Sequence, residues 1–195
     1  MSSTGDGERA QRALVPRGEH PPRTRRERVL RSATVAGASL LTGRMFVRPL
    51  VKRDFDHLVQ VIGRCWGHPI GSELHPIHPV FFHELGSLAR VVESGGCMLG
   101  FLLAFISPRT SRTGYVHLIG VHPDYRRQGL GTVLYQSFEE SCLDGGCTHL
   151  RAVSSPENHQ ATAFHLANGW DVKEATDHAG PARTRLVYSK TLRAR

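Results

Sequence analysis

The stretch from Val121 to Thr132 constrains the fold more than any other part of this chain of 195 residues. A run of β-branched and apolar residues ends at Val121, a polar turn follows, and a helical pattern then holds Gly129 and Gly131 in its first turn. Because the first N–H groups of a helix lack partners and the helix dipole is positive there, an anion is stabilised at such a place. Glycine at both positions also removes Cβ atoms that would keep a phosphate away from the backbone. We therefore predict a strand–turn–helix unit that binds a phosphate-bearing ligand, although an ordinary turn beside a solvated arginine pair has the same short pattern.

Residues 1–44 carry most of the excess positive charge. They contain nine arginines and four acids, a net of +5, whereas residues 45–195 contain sixteen basic and thirteen acidic side chains, a net of +3 within the total of +8. Residues 1–44 are also rich in Arg, Pro and Gly and lack apolar periodicity, so we predict a disordered extension or leader there and one folded domain over 45–195. The small net charge of that domain argues against nucleic acid as a partner, and only the arginine-rich extension leaves that alternative open.

The cysteines are scattered along the chain. Cys65, Cys97, Cys142 and Cys147 form no CxxC pair and no dense framework, so we expect neither a disulfide scaffold nor a zinc site built on cysteine. This cysteine usage fits a reducing cytoplasm. The sequence also has no apolar run of the length that a membrane-spanning helix needs, about 18 residues or more, so we expect no membrane partner.

Turn residues divide the chain from Met45 onward into short periodic segments. Apolar and β-branched runs predict strands at 45–48, 90–93, 97–106, 115–121, 149–154, 170–172 and 185–192. Apolar spacing of the helical type predicts helices at 54–66, 80–88, 129–143 and 158–167. The order β-α-α-β-β-β-α-β-α-β-β predicts an α/β fold with a mixed, twisted β-sheet and helices on both faces.

Two signatures within this order resemble those of the GCN5-related N-acetyltransferase (GNAT) superfamily. The first is Arg-x-x-Gly-x-Gly at 126–131, preceded by Val-x-Pro at 121–123. The second is Asn-x-x-Ala-x-x-Phe-His-x-x-x-Gly-Trp at 158–170, an Asn-opened helix that ends in glycine and an aromatic residue. The resemblance covers about three quarters of the chain. It implies the GNAT fold and an enzyme that transfers acetyl from acetyl-CoA directly to a primary amine in a ternary complex.

The resemblance also implies which residues bind acetyl-CoA. The pyrophosphate is expected at the loop and the first helical turn, formed by Arg126, Arg127, Gln128, Gly129, Leu130, Gly131 and Thr132. The strand ending at Val121 is expected to splay from the strand at 149–154. The pantetheine arm is expected in that gap, beside the backbone of Ile119 and Val121 and close to Asn158.

Two histidines are candidates for proton transfer, because a neutral amine must attack the thioester and a thiolate must leave. His165 stands where many relatives carry a tyrosine that protonates the sulfur, and the alternative is a half-exposed helix residue with unassisted departure of the thiolate. His117 lies four residues before Val121, where relatives often carry a base, and a purely structural role is its alternative. By period two, we expect Tyr115, Ile119 and Val121 on the same strand face as His117.

The His- and Pro-rich connection after the first helix is expected to shape substrate entry. The candidates are Trp66, His75, His78 and Phe81, with plain packing as the alternative. His75-x-x-His78 has no second pair to complete a tetrahedron, so we predict no metal site. A small-molecule amine is the favoured acceptor. The alternatives are a protein N-acetyltransferase and a CoA-binding module without catalysis, and a homodimer is compatible with either.

Overall fold

The structure is a computed structural model of the chain, and it describes residues 28–29, 45–66 and 77–193. At 28–29, 61 and 63–66 it describes the backbone alone. Within the extension, the described residues are Arg28–Val29, which form a short strand, β1, paired with the strand that follows. The other residues of the extension lie outside the described ranges, so its disorder and the domain boundary at residue 44 stay predictions.

The described strands form one sheet in the order β1-β2-β3-β4-β5-β6-β8-β7. After β1 they are β2 (Phe46–Pro49), β3 (Arg90–Ser94), β4 (Cys97–Ile106), β5 (Thr113–Val121), β6 (His149–Ser154), β7 (Asp171–Ala175) and β8 (Arg185–Thr191). Neighbouring strands are antiparallel, except that β5 and β6 run parallel. A parallel pair requires a long crossover connection, and the glycine-opened helix provides it. The predicted mixed α/β sheet is confirmed.

Helices cover both faces of the sheet, as predicted. They are α1 (Lys52–Trp66), α2 (Val80–His83), α3 (Leu130–Asp144) and α4 (His159–Ala167). One side, which we call the α3 face, has a core that includes Leu134 and Phe138 of α3, with Phe164 of α4 packed against it. The other side, the α1 face, has a core that includes Phe55 and Leu58 of α1. Among the described residues, no helix has both the length and the apolar character needed to cross a membrane.

Two helices differ from the sequence prediction by more than one residue. The helix α1 begins at Lys52 rather than Asp54. The Asp54 carboxylate lies in the first turn, where it accepts a hydrogen bond from the N–H of Val51 at 2.9 Å and pairs with the guanidinium of Arg48. The helix predicted at 80–88 is instead the single turn α2 followed by a separate 3-10 turn at Gly86–Leu88.

The strand β5 changes its register with β4 at His117. Leu103 pairs with Leu118 and Ala104 pairs with Val116, so His117 is the extra residue of a β-bulge. The bulge reverses the alternation of side chains along β5. As a result, Val116 belongs to the core on the α3 face, whereas Leu118, two residues later, belongs to the core on the α1 face.

The strands β5 and β6 pair only along their first halves. Their parallel register runs from Thr113 and His149 to Val116 and Ala152, while β5 continues to Val121. Beyond the bulge, β5 therefore has β4 on one side and a wedge-shaped opening on the other. Backbone N–H and C=O groups that face this wedge need partners, and an extended ligand can supply them. The structure thus contains the gap that was expected between these strands.

Gly114 lies where β5 pairs with β6, directly under α3. A Cβ atom there would lie 2.9 Å from Cζ of Phe138 and 3.0 Å from Cδ2 of Leu150, and it would overlap Sγ of Cys142. We expect Gly114→Ala to lower the free energy of unfolding by about 1–3 kcal/mol, because a filled core cannot accept another atom without strain. Denaturant titration of Gly114→Ala, Cys142→Ala and the double variant measures this. The double variant should recover part of the loss since the sulfur is gone, and simple additivity of the two losses would contradict the packing argument.

Candidate active site

The predicted phosphate loop joins β5 to α3 through an unusual backbone. Gly129 is the N-cap of α3, and its φ of 78° lies in the left-handed region. Arg127 also has a positive φ, 61°, which is uncommon for a residue with a Cβ atom. No side chain caps α3, so the N–H groups of its first turn are left for another acceptor. A Cβ atom at Gly129 would meet no atom within 4 Å, so open space lies in front of the loop.

The two glycines of the loop serve different purposes. Gly129 permits the left-handed turn that points the chain into α3. Gly131 permits close packing, because a Cβ atom there would lie 3.1 Å from Cε2 of Phe164 on α4. The missing side chain of Gly131 thus makes room for a neighbouring helix, and the expectation that this glycine also clears space for a phosphate stays a prediction.

The loop side chains leave its backbone accessible and add positive charge beside it. Nε of Arg126 donates to the carbonyl of Val121 at 3.2 Å, which holds this arginine against the end of β5. Nε2 of Gln128 donates to the carbonyl of Asp124 at 3.3 Å. Leu130 is buried in the core on the α3 face, so only its backbone can meet a ligand. Backbone donors, a positive helix end and two arginines fit a ligand that carries a pyrophosphate.

The wedge between β5 and β6 is bordered by the residues expected near the pantetheine arm. Ile119 and Val121 are half-buried and pack against the core on the α3 face. Asn158 caps α4 as predicted, since its Oδ1 accepts a hydrogen bond from the N–H of Ala161 at 3.0 Å. Asn158 is exposed in the connection between β6 and α4.

His117 lies on the α1 face and not with Ile119 and Val121. The expectation that these residues share one face is wrong, because period-two alternation assumes a regular strand and the bulge at His117 breaks it. The imidazole stacks on the ring of Phe81 with centroids 3.7 Å apart and planes 12° apart. His117 is therefore half-buried at the base of the wedge, with one ring face covered.

The stack of His117 on Phe81 continues into a longer aromatic row. Phe105 lies 6.2 Å from Phe81, and Tyr115 lies 5.2 Å from Phe105, measured between ring centroids. We call Phe81, Phe105, Tyr115 and His117 the aromatic row. It forms a continuous, mostly apolar surface beside the wedge on the α1 face.

His165 is only 4% exposed, so the alternative of a half-exposed helix residue is corrected. Its Nδ1 lies 2.7 Å from the carbonyl of Ala161, which can only accept, so Nδ1 carries the hydrogen. Its Nε2 then accepts a hydrogen bond from the hydroxyl of Tyr135 at 2.9 Å. Burial lowers the pKa of His165, an effect that the bond to Ala161 partly offsets. Burial also raises the pKa of Tyr135, so the phenol keeps its proton.

Of the four residues predicted to shape substrate entry, the structure brings Phe81 to a catalytic candidate, His117. His78 lies in a groove along α1, and its Nδ1 accepts a hydrogen bond from a backbone N–H at 3.2 Å. The side chain of Trp66 and all of His75 lie outside the described residues. Within the described ranges, no three His, Cys, Asp or Glu side chains come together as a metal site requires.

The sequence did not point to Arg151 or Tyr188. Arg151 is exposed on β6 and lies beside Tyr115 in the parallel register. Tyr188 is fully buried on β8, and its hydroxyl lies 2.9 Å from Oγ of Ser154 and 2.8 Å from Oγ1 of Thr162. The alternation of apolar and polar residues along β6 could have indicated which face of the sheet Arg151 lies on. That Tyr115 lies beside Arg151 could not be read from the sequence, because strand register depends on the whole sheet.

Comparison with known proteins identifies a family and related folds. The family model described as the acetyltransferase (GNAT) family matches residues 55–170. Among solved structures, yncA from Salmonella typhimurium, determined with its cofactor acetyl-CoA, superposes with a TM-score of 0.61 over 77% of this chain and 95% of that one. The two sequences are 16% identical, so this likeness concerns the fold.

Two curated relatives match part of the chain. Thialysine N-epsilon-acetyltransferase of Bos taurus is 36% identical over 103 residues, which are 49% of this chain and 59% of the relative. L-2,4-diaminobutyric acid acetyltransferase of Nocardia farcinica is 31% identical over 77 residues, 40% of each protein. The chain thus matches less than two thirds of the length of either relative. Since the family model covers more than half of the chain and the fold and glycine loop agree with it, this chain belongs to the acetyltransferase (GNAT) family.

Proposed function

We propose that this protein is an N-acetyltransferase that transfers the acetyl group of acetyl-CoA directly to a primary amine of a small molecule. The observation that carries the proposal is the uncapped, glycine-opened start of α3 at the end of β5, next to the wedge between β5 and β6. The start of α3 suits a pyrophosphate, and the wedge suits the extended pantetheine arm. The two curated relatives are named for acetylating amino acids that carry additional amines, which supports an amine as acceptor.

In this proposal acetyl-CoA is the co-substrate and supplies an acetyl group activated as a thioester. The N–H groups at the start of α3, with Arg126 and Arg127, hold its pyrophosphate. The backbone of β5 near Ile119 and Val121 aligns the pantetheine arm. Asn158 borders the same wedge, where its exposed amide group can donate a hydrogen bond.

The acceptor enters from the α1 face, because α3 and α4 cover the opposite face of the sheet. His117 lies on that side at the base of the wedge, and we propose that it takes the proton of the attacking amine. The amine nitrogen forms a bond to the acetyl carbon, the carbon–sulfur bond breaks, and its electron pair leaves with the sulfur. Most of a primary amine is protonated at neutral pH, so a nearby base raises the attacking fraction.

His165 acts in this proposal as a positioning residue. Both of its ring nitrogens are engaged inside the fold, and its ring stacks on Tyr188 with centroids 4.0 Å apart. To protonate a leaving thiolate it would have to break the bond to Ala161 or accept a charge in a buried place. We therefore favour departure of the thiolate without a proton from His165. A cytoplasmic location and a homodimer stay predictions.

The first test measures acetyl-CoA-dependent release of free thiol in the presence of diamino acids, together with the thermal stabilisation that acetyl-CoA provides. Gly129→Glu adds bulk and negative charge at the proposed pyrophosphate site, so we expect it to abolish both signals. Gly146→Glu is the matched control. Gly146 also has a positive φ, 75°, and open space around its missing Cβ atom. It lies beyond the far end of α3, about 22 Å away. Undiminished acetyl-CoA stabilisation of Gly129→Glu would place the cofactor elsewhere.

The second test addresses the proposed base. We expect His117→Gln to lower kcat at pH 7 by about 100-fold while leaving stabilisation by acetyl-CoA unchanged. The deficit should shrink as the pH rises towards about 10, where the amine is already neutral. His149→Gln, which changes an exposed histidine on neighbouring β6, is the control and should keep the wild-type rate. A wild-type kcat for His117→Gln at pH 7 would remove this residue from the reaction.

The third test separates positioning from acid catalysis at His165. The folded protein holds His165 neutral with a lowered pKa, whereas the unfolded chain takes up a proton below about pH 6.5. Its stabilising contribution is therefore complete above that pH and is lost as the pH falls below it. We expect His165→Gln to cost about 1–3 kcal/mol of unfolding free energy at pH 8, with a smaller difference at pH 5. A variant of unchanged stability whose kcat fell about 100-fold would restore the acid role.

A further inference from the structure

Arg151 is the basic side chain of β6 on the same face as His117. Leu150 and Ala152 on either side of it are buried in the core on the α3 face, so Arg151 faces the other way. In the parallel register it lies directly beside Tyr115, the outer member of the aromatic row. Burial raises the pKa of Tyr115, and the positive charge of Arg151 opposes that rise. The guanidinium therefore borders the acceptor side of the wedge.

The charge of Arg151 is not neutralised within the described part of the chain. The ion pairs found there include those of Arg48 with Asp54 and Glu93, Lys52 with Asp56, His122 with Asp124, and Lys190 with Glu139, and none of them involves Arg151. Arg151 is also exposed, and none of the described side chains forms a hydrogen bond with it. A planar guanidinium beside an apolar row is well suited to hold a carboxylate with two parallel hydrogen bonds.

The position of Arg151 relative to His117 sets a spacing. The two residues lie one strand apart, about 5 Å, and two positions apart along the strands, about 6–7 Å. These are separations between backbone positions, and an amino acid whose amine is at the end of its side chain can span them, with its carboxylate at Arg151 and its methylene groups along the aromatic row.

We propose that Arg151 binds a carboxylate of the acceptor, so that the substrate is an amino acid whose reactive amine is at the end of its side chain and meets His117. This inference rests on the proposed acetyltransferase activity and specifies its substrate class. The aromatic row would contact the aliphatic part of such a molecule, Arg151 would fix its charged end, and the two contacts together would select the distal amine. Polyamines without a carboxylate would lack the Arg151 contact.

The test compares acceptors that differ only in the carboxylate. Ornithine is compared with putrescine, and lysine with cadaverine, using the full chain and acetyl-CoA, with the acetylated nitrogen identified by mass spectrometry or NMR. We expect the wild type to have the lower KM for each amino acid and to acetylate its side-chain amine. Arg151→Ala should raise KM for the amino acids by at least about 10-fold, while KM for the diamines stays the same or falls. Arg151→Lys should be intermediate, since an ammonium keeps the charge but not the paired geometry.

Arg109→Ala is the matched control for the loss of one positive charge. Arg109 is exposed in the turn between β4 and β5, outside the paired segments of both strands, and its removal should leave both KM values unchanged. All variants should keep the wild-type stabilisation by acetyl-CoA, which shows that they fold and bind it. Equal KM values for amino acids and diamines in the wild type, or no rise in KM for Arg151→Ala, would overturn the inference while the acetyltransferase activity stands. Absence of acetylation of every amine despite acetyl-CoA binding would overturn the proposed function and the inference with it.

Discussion

The register of β5 is the constraint on which the site depends. This strand pairs with β4 along its length through a bulge at His117, but with β6 only as far as Val116. The pairing with β4 keeps the end of β5 ordered, and the lost pairing with β6 leaves backbone groups that need partners. The His117 side chain thus lies on the α1 face at the bulge. Beyond it, the opening between β5 and β6 leads to the start of α3. In a regular strand Ile119 and Val121 would share the face of His117, instead of packing against the core on the α3 face.

The glycine loop shows how one short motif meets two physical demands. Gly129 is required by backbone conformation, and Gly131 by the distance between α3 and the ring of Phe164. The first demand shapes the loop, and the second sets the position of α4, whose N-cap is Asn158. Packing between the two helices therefore helps to set the position of Asn158 relative to the loop. The positive charges of Arg126 and Arg127 add to the attraction for an anion, whereas backbone conformation and packing set the shape of the loop.

The core under α4 contains a chain of hydrogen bonds that links three residues. The carbonyl of Ala161, the ring of His165 and the hydroxyl of Tyr135 are linked by hydrogen bonds of 2.7 and 2.9 Å. Such a chain is stable only with a neutral histidine, since a buried imidazolium would lack a counter-charge. The position for which the family resemblance implied a tyrosine is occupied by a histidine that Tyr135 of α3 holds in place. The aromatic row and Arg151 lie on the other side of the sheet, the α1 face.

Local sequence determined the order of strands and helices, the glycine loop and the Asn158 cap, because these depend on backbone preferences and on apolar spacing within one segment. It also supported the family, since the signatures at 126–131 and 158–170 are themselves local. The tertiary structure alone decided the bulge at His117, the burial of His165 and the pairing of Tyr115 with Arg151. Each of these results from contacts between segments far apart in the chain, where a shift of one residue in register moves a side chain to the opposite face. The sequence therefore indicated the loop for which we propose a phosphate-bearing ligand, and the packing of the whole sheet decided which side chains lie around it.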